Sequence, residues 1–177
     1  MLQFFKKIIE FLSTHNIPYM LSGSVAMSLY VIPRATRDFD IIVHLKEEDI
    51  PALLAYFNEG FYCDEDAVRE AVKRKSMFNI IDHNSSFKVD FVILKDEPYR
   101  LTEFDRRRKT DFFDTPIYVV TPEDLLISKL VWIQQLQSSL QKEDIYALKQ
   151  ISSLDWAYID FWINRLKLNT FGLLDHE

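Results

Sequence analysis

Cysteine and glycine are both scarce in this chain of 177 residues, and each shortage excludes a class of protein or site. Cys63 is the single cysteine, so the chain has no internal disulfide and no zinc site built from cysteines. A chain without disulfides fits a reducing cytoplasm. The three glycines argue against glycine-rich sandwiches and barrels. His44, His83 and His176 lack the spacing of metal ligands, so we expect no zinc centre.

Long apolar runs and an excess of positive charge are also missing. No apolar run approaches the roughly 20 residues that cross a membrane as a helix, so we predict no contact with a membrane. The first residues lead into an acidic amphipathic helix without a small-residue cleavage site, so we expect no signal peptide. The net charge of −6 gives no general attraction to nucleic acid. For the basic run at 106–109, a solvated loop or helix face is favoured over a contact with RNA.

Apolar residues are plentiful, at 48% of the chain, so we expect a folded globular protein. Apolar alternation and helical spacing predict a mixed α/β (α+β) fold, with a mixed sheet flanked by helices and further helices after Pro122. We place a boundary near Thr121. Residues 1–121 are expected to form an α/β core and residues 122–177 a helical region packed on it, unless the chain is a single domain.

The stretch from Met20 to Val43 combines two features that suit phosphate chemistry. The first is Gly23-Ser24, which lies where a short apolar strand gives way to a helix. Glycine allows a phosphate to approach the backbone closely, and a helix start offers unpaired N–H groups to an anion. An ordinary serine N-cap would also explain Ser24, and the two interpretations are compatible.

The second feature is a strand that carries Asp38 and Asp40. Side chains alternate along a strand, so both carboxylates face one way while Phe39 and Ile41 face the other. Two adjacent carboxylates repel each other unless a cation lies between them, and Mg²⁺ prefers such oxygen ligands. Acids exposed at a frayed strand end are the alternative, but the apolar neighbours indicate a buried strand. The stretch therefore predicts metal-assisted phosphoryl or nucleotidyl transfer.

This pattern resembles the nucleotidyltransferase fold superfamily, whose mark is Gly-Ser followed by an Asp-x-Asp strand. The run Arg34-x-Thr36-x-Asp38-x-Asp40 looks like that of a small bacterial branch of AbiEii-like toxins and related uncharacterised nucleotidyltransferases. The resemblance covers residues from about 18 to about 150. It implies a nucleotidyltransferase-like mixed sheet with a third carboxylate on a neighbouring strand, which Asp90 supplies.

The branch also carries a Glu followed six residues later by a Lys, at the start of a helix after the sheet. Glu123 and Lys129 match this spacing. In a later helix the branch has an Arg-Asp pair and then a second Asp. Asp144 matches the first acid, but Glu143 replaces the basic residue and Ala147 replaces the second acid. This departure bears on the toxin assignment and on the substrate.

The resemblance implies roles for these residues. Asp38 and Asp40 would hold Mg²⁺ (or Mn²⁺) on the triphosphate of an NTP, and Asp90 would position a second metal and act on the attacking hydroxyl. All three would be catalytic residues and metal ligands. The nucleotide would be bound by Gly23, Ser24, Arg34, Arg37 and Lys129.

Each of these assignments has a purely structural alternative. Asp90 faces the same side as Lys88, so a salt bridge between the two would also explain it. Arg34 and Arg37 could pair with nearby acids instead of phosphates. Lys129 could pack its stem against the helix and extend its ammonium into water.

The predicted function is transfer of a nucleoside monophosphate from an NTP to a hydroxyl on a protein, an RNA or a small molecule. The alternative is a non-catalytic module of the same fold, such as a component of a toxin-antitoxin pair. An apolar stripe near the end of the chain predicts core packing, with a protein partner or a homodimer contact as the alternative. The stripe consists of Trp156, Ile159, Trp162, Ile163 and Leu166.

Overall fold

The computed structural model of this protein describes residues 2–31 and 36–175. Its helices are α1 (Leu2–Thr14), α2 (Gly23–Met27), α3 (Ile50–Tyr56), α4 (Glu65–Arg74), α5 (Pro98–Asp105), α6 (Pro122–Ile133), α7 (Ser139–Lys149) and α8 (Trp156–Leu166). Its strands are β1 (Tyr19–Ser22), β2 (Asp38–Val43), β3 (Phe61–Tyr62), β4 (Met77–Asp82), β5 (Lys88–Ile93), β6 (Arg108–Phe112) and β7 (Thr115–Val119). None of the helices within these ranges has both the length and the apolar character needed to cross a membrane.

The described residues form two compact units. The first comprises residues 2–26 and 36–120 and contains every strand of the described ranges. The second comprises residues 27–31 and 121–175 and contains α6, α7 and α8. We refer to them as the sheet unit and the helical unit. The short segment 27–31 belongs to the helical unit, although it lies within the predicted α/β core of residues 1–121.

The strands of the described ranges form one mixed sheet of seven, in the order β3-β4-β5-β2-β1-β7-β6. Strand β2 lies at the centre, antiparallel to β1 and parallel to β5. Strands β4 and β5 form an antiparallel pair, as the polar turn between them predicts. The predicted mixed α/β architecture with flanking helices is therefore confirmed.

One face of β2 is fixed in the apolar core of the sheet unit. Phe39, Ile41 and Val43 are almost fully buried, while the residues between them are half-buried. Helix α1 packs on this face, and its Phe5 ring lies 5.1 Å from the ring of Phe39. A shift of one residue in β2 would expose this apolar set to water, so the register is strongly specified. The opposite face of β2 must then carry Asp38 and Asp40.

Candidate active site

Polar side chains from four neighbouring strands form a row across one face of the sheet. Ser22 pairs with Asp40, Asp40 pairs with Asp90, and Asp90 pairs with Asn79. Residues that lie directly opposite each other on adjacent strands share a face of the sheet. The structure therefore brings Asp90 beside Asp40, although 50 positions separate them in the sequence.

Asp38 and Lys88 pair with each other two residues before Asp40 and Asp90 on the same two strands, so they share this face. The Nζ atom of Lys88 lies 2.8 Å from Oδ2 of Asp90 and 3.6 Å from Oδ2 of Asp38. We call Asp38, Asp40, Asp90 and Lys88 the acid cluster. The salt bridge considered as the alternative for Asp90 is thus present, and it lies inside the cluster.

The hydrogen bond from Lys88 to Asp90, with the charges of Asp90, Asp38 and Asp40, raises the pKa of the Lys88 ammonium above 10.5. Burial acts in the opposite direction and is the second-largest influence. The Lys88 side chain is 36% exposed and that of Asp38 is 46% exposed, so this part of the cluster is open to solvent. A dissolved ligand can therefore reach it.

Asp90 is the most buried carboxylate of the cluster, with its side chain 11% exposed. Its Oδ2 accepts from Lys88, whereas Oδ1 is buried without a hydrogen-bond partner. A buried carboxylate oxygen without a partner carries a free-energy cost of about 1–3 kcal/mol or more. Such an atom is typical of a site completed by a ligand, an ion or a water molecule.

Gly23 is placed directly against Asp40. Its φ is +63°, a left-handed conformation that favours glycine. A Cβ atom at this position would lie 1.8 Å from Oδ2 of Asp40, far inside van der Waals contact. This glycine is predicted to allow a phosphate to approach the backbone, and in the structure a carboxylate also approaches it. The Gly-Ser turn and the acid pair therefore form one site.

Carboxylates in this arrangement suit Mg²⁺ only in part. Within the described ranges, no three acidic, histidine or cysteine side chains are arranged to hold a metal ion by themselves. Mg²⁺, however, is usually held by one or two carboxylates together with substrate phosphates and water, rather than by a cage of protein ligands. Asp38 and Asp40 supply such a pair, so the residues present fit an ion that arrives with a triphosphate.

The remaining predicted residues of the sheet unit are less informative. Arg37 is exposed beside the cluster, and its carbonyl accepts from the backbone N–H of Lys88. Thr36 accepts from the backbone N–H of Asp38 through its hydroxyl, which supports the start of β2. Arg34 lies outside the described residues. Ser24 is half-buried in α2, directly after Gly23.

Lys129 belongs to the helical unit, where it donates to Asp144 across 2.6 Å. Their side chains are 13% and 3% exposed. The ion pair with Asp144 accounts for the position of the Lys129 ammonium, so neither contact with water nor a bound triphosphate is needed to explain it. Nearby in the sequence, buried Asp124 accepts from Thr121 at 2.7 Å and from Tyr158 at 2.6 Å. These residues form two hydrogen-bonded groups within the helical unit, Lys129 with Asp144 and Asp124 with Thr121 and Tyr158, and we call the five together the helix cluster.

Two further features have ordinary structural explanations. In the basic run, Arg107 stacks on Phe104 with its guanidinium carbon 4.2 Å from the ring centroid, and it donates to the Phe104 carbonyl. In the apolar stripe of α8, Ile159 and Trp162 are buried, which agrees with core packing.

Several solved structures are similar to this protein in fold. A structure of ANT(2'')-Ia in complex with adenylyl-2''-tobramycin matches with a TM-score of 0.63 at 14% identity, over 93% of this chain and 95% of that chain. The lincosamide antibiotic adenylyltransferase LnuA, bound to lincomycin, matches with a TM-score of 0.56 at 16% identity, over 82% and 94%. An antigenic nucleotidyltransferase-like protein from Paracoccidioides brasiliensis matches with a TM-score of 0.52 at 16% identity, over 90% and 87%.

The fold is that of a nucleotidyltransferase. The similarity extends over most of each chain, so it concerns the whole architecture rather than a shared motif. At 14% to 16% identity it establishes the nucleotidyltransferase-like fold and leaves the chemistry to be argued from the residues. No model of a known protein family matches the sequence, and neither does any curated protein.

Proposed function

We propose that this protein is a metal-dependent nucleotidyltransferase that moves a nucleoside monophosphate from an NTP to a hydroxyl acceptor. The observation that carries the proposal is the acid cluster, with Asp40 between Gly23 and Asp90 on a sheet of nucleotidyltransferase topology. Surplus negative charge and an unpartnered carboxylate oxygen would gain from a ligand that brings a cation.

In the proposed reaction, the acceptor oxygen attacks the α-phosphorus of the NTP and pyrophosphate leaves. Asp38 and Asp40 would hold Mg²⁺ (or Mn²⁺), which when bound offsets the charge that develops on the phosphates. Asp90 takes the proton of the attacking hydroxyl, which is the role that the family resemblance implies. Gly23 and Ser24 bring backbone N–H groups close to the phosphates, and Arg34 and Arg37 supply guanidinium groups to the same anion.

The acceptor class is open among proteins, RNA and small molecules. Because two similar solved structures contain lincomycin and adenylyl-2''-tobramycin, hydroxyl-bearing antibiotics are the first acceptors to test. The finer assignment, to the AbiEii-like branch, draws support from the ion pair of Lys129 and Asp144, two residues that the branch pattern includes. A role of Lys129 in nucleotide binding remains a prediction.

Thermal unfolding in the presence of each NTP with Mg²⁺ or Mn²⁺ tests the proposal. A ligand at about 100 times its Kd stabilises the folded state by about 2.7 kcal/mol, so binding raises the Tm measurably. We expect such a rise for at least one NTP, only with the metal, and none for Asp38→Asn. The control is Asp111→Asn, which makes the same change at an exposed site on β6. Equal Tm values with and without every metal–NTP combination would overturn the proposal.

A further inference from the structure

Lys88 is the residue of the acid cluster to which neither the family resemblance nor the proposed function assigns a role. Its ammonium lies between two of the three carboxylates, at 2.8 Å from Asp90 and 3.6 Å from Asp38. The carboxylate that it contacts most closely, Asp90, is the one that the resemblance assigns to a second metal ion. An ammonium and a metal ion compete for the same carboxylate oxygens because both are cations that need them.

The arrangement of the carboxylates points the same way. Because the ammonium of Lys88 contacts both Asp90 and Asp38, a second metal ion beside Asp90 would have to displace this ammonium or lie against another cation. The described residues also contain no group of three acids arranged to hold a metal ion, as expected if a side chain fills part of the cluster.

From this geometry we infer that the ammonium of Lys88 takes the place of the second metal ion beside Asp90, so that the site works with one divalent cation. The inference rests on the proposed function and deepens it. The ammonium of Lys88 neutralises the charge of Asp90 and reduces the repulsion between Asp90 and Asp38. Asp38 and Asp40 would hold the one ion that comes with the nucleotide. Lys88 is therefore a positioning residue and an internal counter-ion.

The stoichiometry of Mn²⁺ binding tests this inference directly. Bound Mn²⁺ is counted per protein chain by equilibrium dialysis, in the presence of an analogue of the NTP that raises the Tm most, with a methylene group between the α- and β-phosphorus. The wild-type chain should bind one ion. Lys88→Met keeps an apolar stem but releases Asp90, and it should bind two ions. Lys88→Arg restores a cation and should return the count to one.

The matched control is Lys95→Met, which removes the same charge from an exposed pair with Glu97. It should bind one ion with the affinity of the wild-type chain. Two ions on the wild-type chain, or one ion on a folded Lys88→Met chain, would overturn this inference alone. If Lys88→Met fails to fold, the wild-type count decides. No ion on the wild-type chain with the nucleotide present would overturn the proposed function and this inference together.

Discussion

In the acid cluster of the sheet unit, the ammonium of Lys88 contacts two carboxylates, those of Asp90 and Asp38, and its side chain is 36% exposed. In the helix cluster, the ammonium of Lys129 lies 2.6 Å from Asp144, and the two side chains are 13% and 3% exposed. Both carboxylate oxygens of Asp124 accept a hydrogen bond, one from Thr121 and one from Tyr158. Both clusters contain buried carboxylates, but of the two only the acid cluster has a buried carboxylate oxygen without a hydrogen-bond partner, Oδ1 of Asp90.

We interpret the difference as one between residues that serve folding and residues that would bind a ligand under the proposed function. Breaking a buried ion pair leaves an uncompensated charge and costs about 3–5 kcal/mol, so a cluster of matched partners is tied to stability. A partly exposed cluster gains little stability from its pairs, because exposed ion pairs contribute about 0–1 kcal/mol. The comparison therefore predicts opposite responses to the same substitution.

The largest expected effect is an opposite outcome for Asp40→Asn and Asp144→Asn: the first should lose nucleotide binding and the second should lose stability. Asp40→Asn should weaken binding of the metal–NTP complex by more than about 10- to 100-fold, the loss typical of a residue that only supports a metal ligand. Its free energy of unfolding should change by less than about 1 kcal/mol, since the change also relieves repulsion. Asp144→Asn should lose about 3–5 kcal/mol of stability, because the Lys129 charge stays buried without its partner.

Two measurements check this opposite outcome: denaturant unfolding for stability and nucleotide titration at a temperature where both variants are folded. The predicted difference between the two clusters is contradicted if folded Asp144→Asn loses nucleotide binding as completely as Asp40→Asn does. That result would make the ion pair of Lys129 part of the nucleotide site, as the sequence pattern predicts.

A smaller effect is expected at Gly23, where the carboxylate of Asp40 lies against the backbone. In Gly23→Ala the left-handed conformation costs about 1–2 kcal/mol and the overlap with Asp40 about 1–3 kcal/mol more. Gly60→Ala is the control, because φ there is +81° but the nearest atom to a Cβ lies 3.9 Å away. Denaturant unfolding should show the larger loss for Gly23→Ala, together with weaker nucleotide binding. Equal losses would mean that Asp40 moves aside without cost.

The smallest effect is a pH dependence of the stability that Lys88 contributes. Its pKa is raised in the folded state, mainly by the hydrogen bond to Asp90. The contribution is therefore fully present below the unfolded value of 10.5 and is lost as the pH rises through the folded value. We expect a difference of less than about 1 kcal/mol between wild type and Lys88→Met, because the side chain is about one third exposed. The difference should be constant from pH 7 to about pH 10 and narrow above 10.5. A difference that widens above pH 10.5 would contradict this assignment.

Local pattern is a good guide to the strands and a poor one to some connections. In the sequence, residues 109–113 and 117–120 look like a hairpin around Asp114-Thr115-Pro116. The hairpin is present as β6 and β7, but its turn lies at Phe113 and Asp114, whose φ values are +48° and +58°. Pro116 cannot adopt such a φ, and it lies within β7 opposite Asp111. The segment 99–108 is polar and its sequence pattern is ambiguous, whereas the structure forms α5 over most of it.

In α5 the ambiguity has a tertiary cause. Glu103 is completely buried, with Arg100 donating to it across 2.8 Å. A charged residue at a core position breaks the apolar spacing by which a helix is recognised in sequence. Only the packed structure reveals that the charge is buried with its partner.

The sequence by itself determined which side chains of β2 share a face, because the alternation of a strand is a local property of the backbone. It also determined that Lys88 and Asp90 face the same way, since they are two residues apart. Tertiary structure alone decided that β5 lies beside β2 in the register that sets Asp90 next to Asp40. It also decided that Gly23 touches a carboxylate, and that Lys88 lies among three acids whereas Lys129 meets one. Pairing between distant segments depends on how the whole core packs, and no local period encodes it.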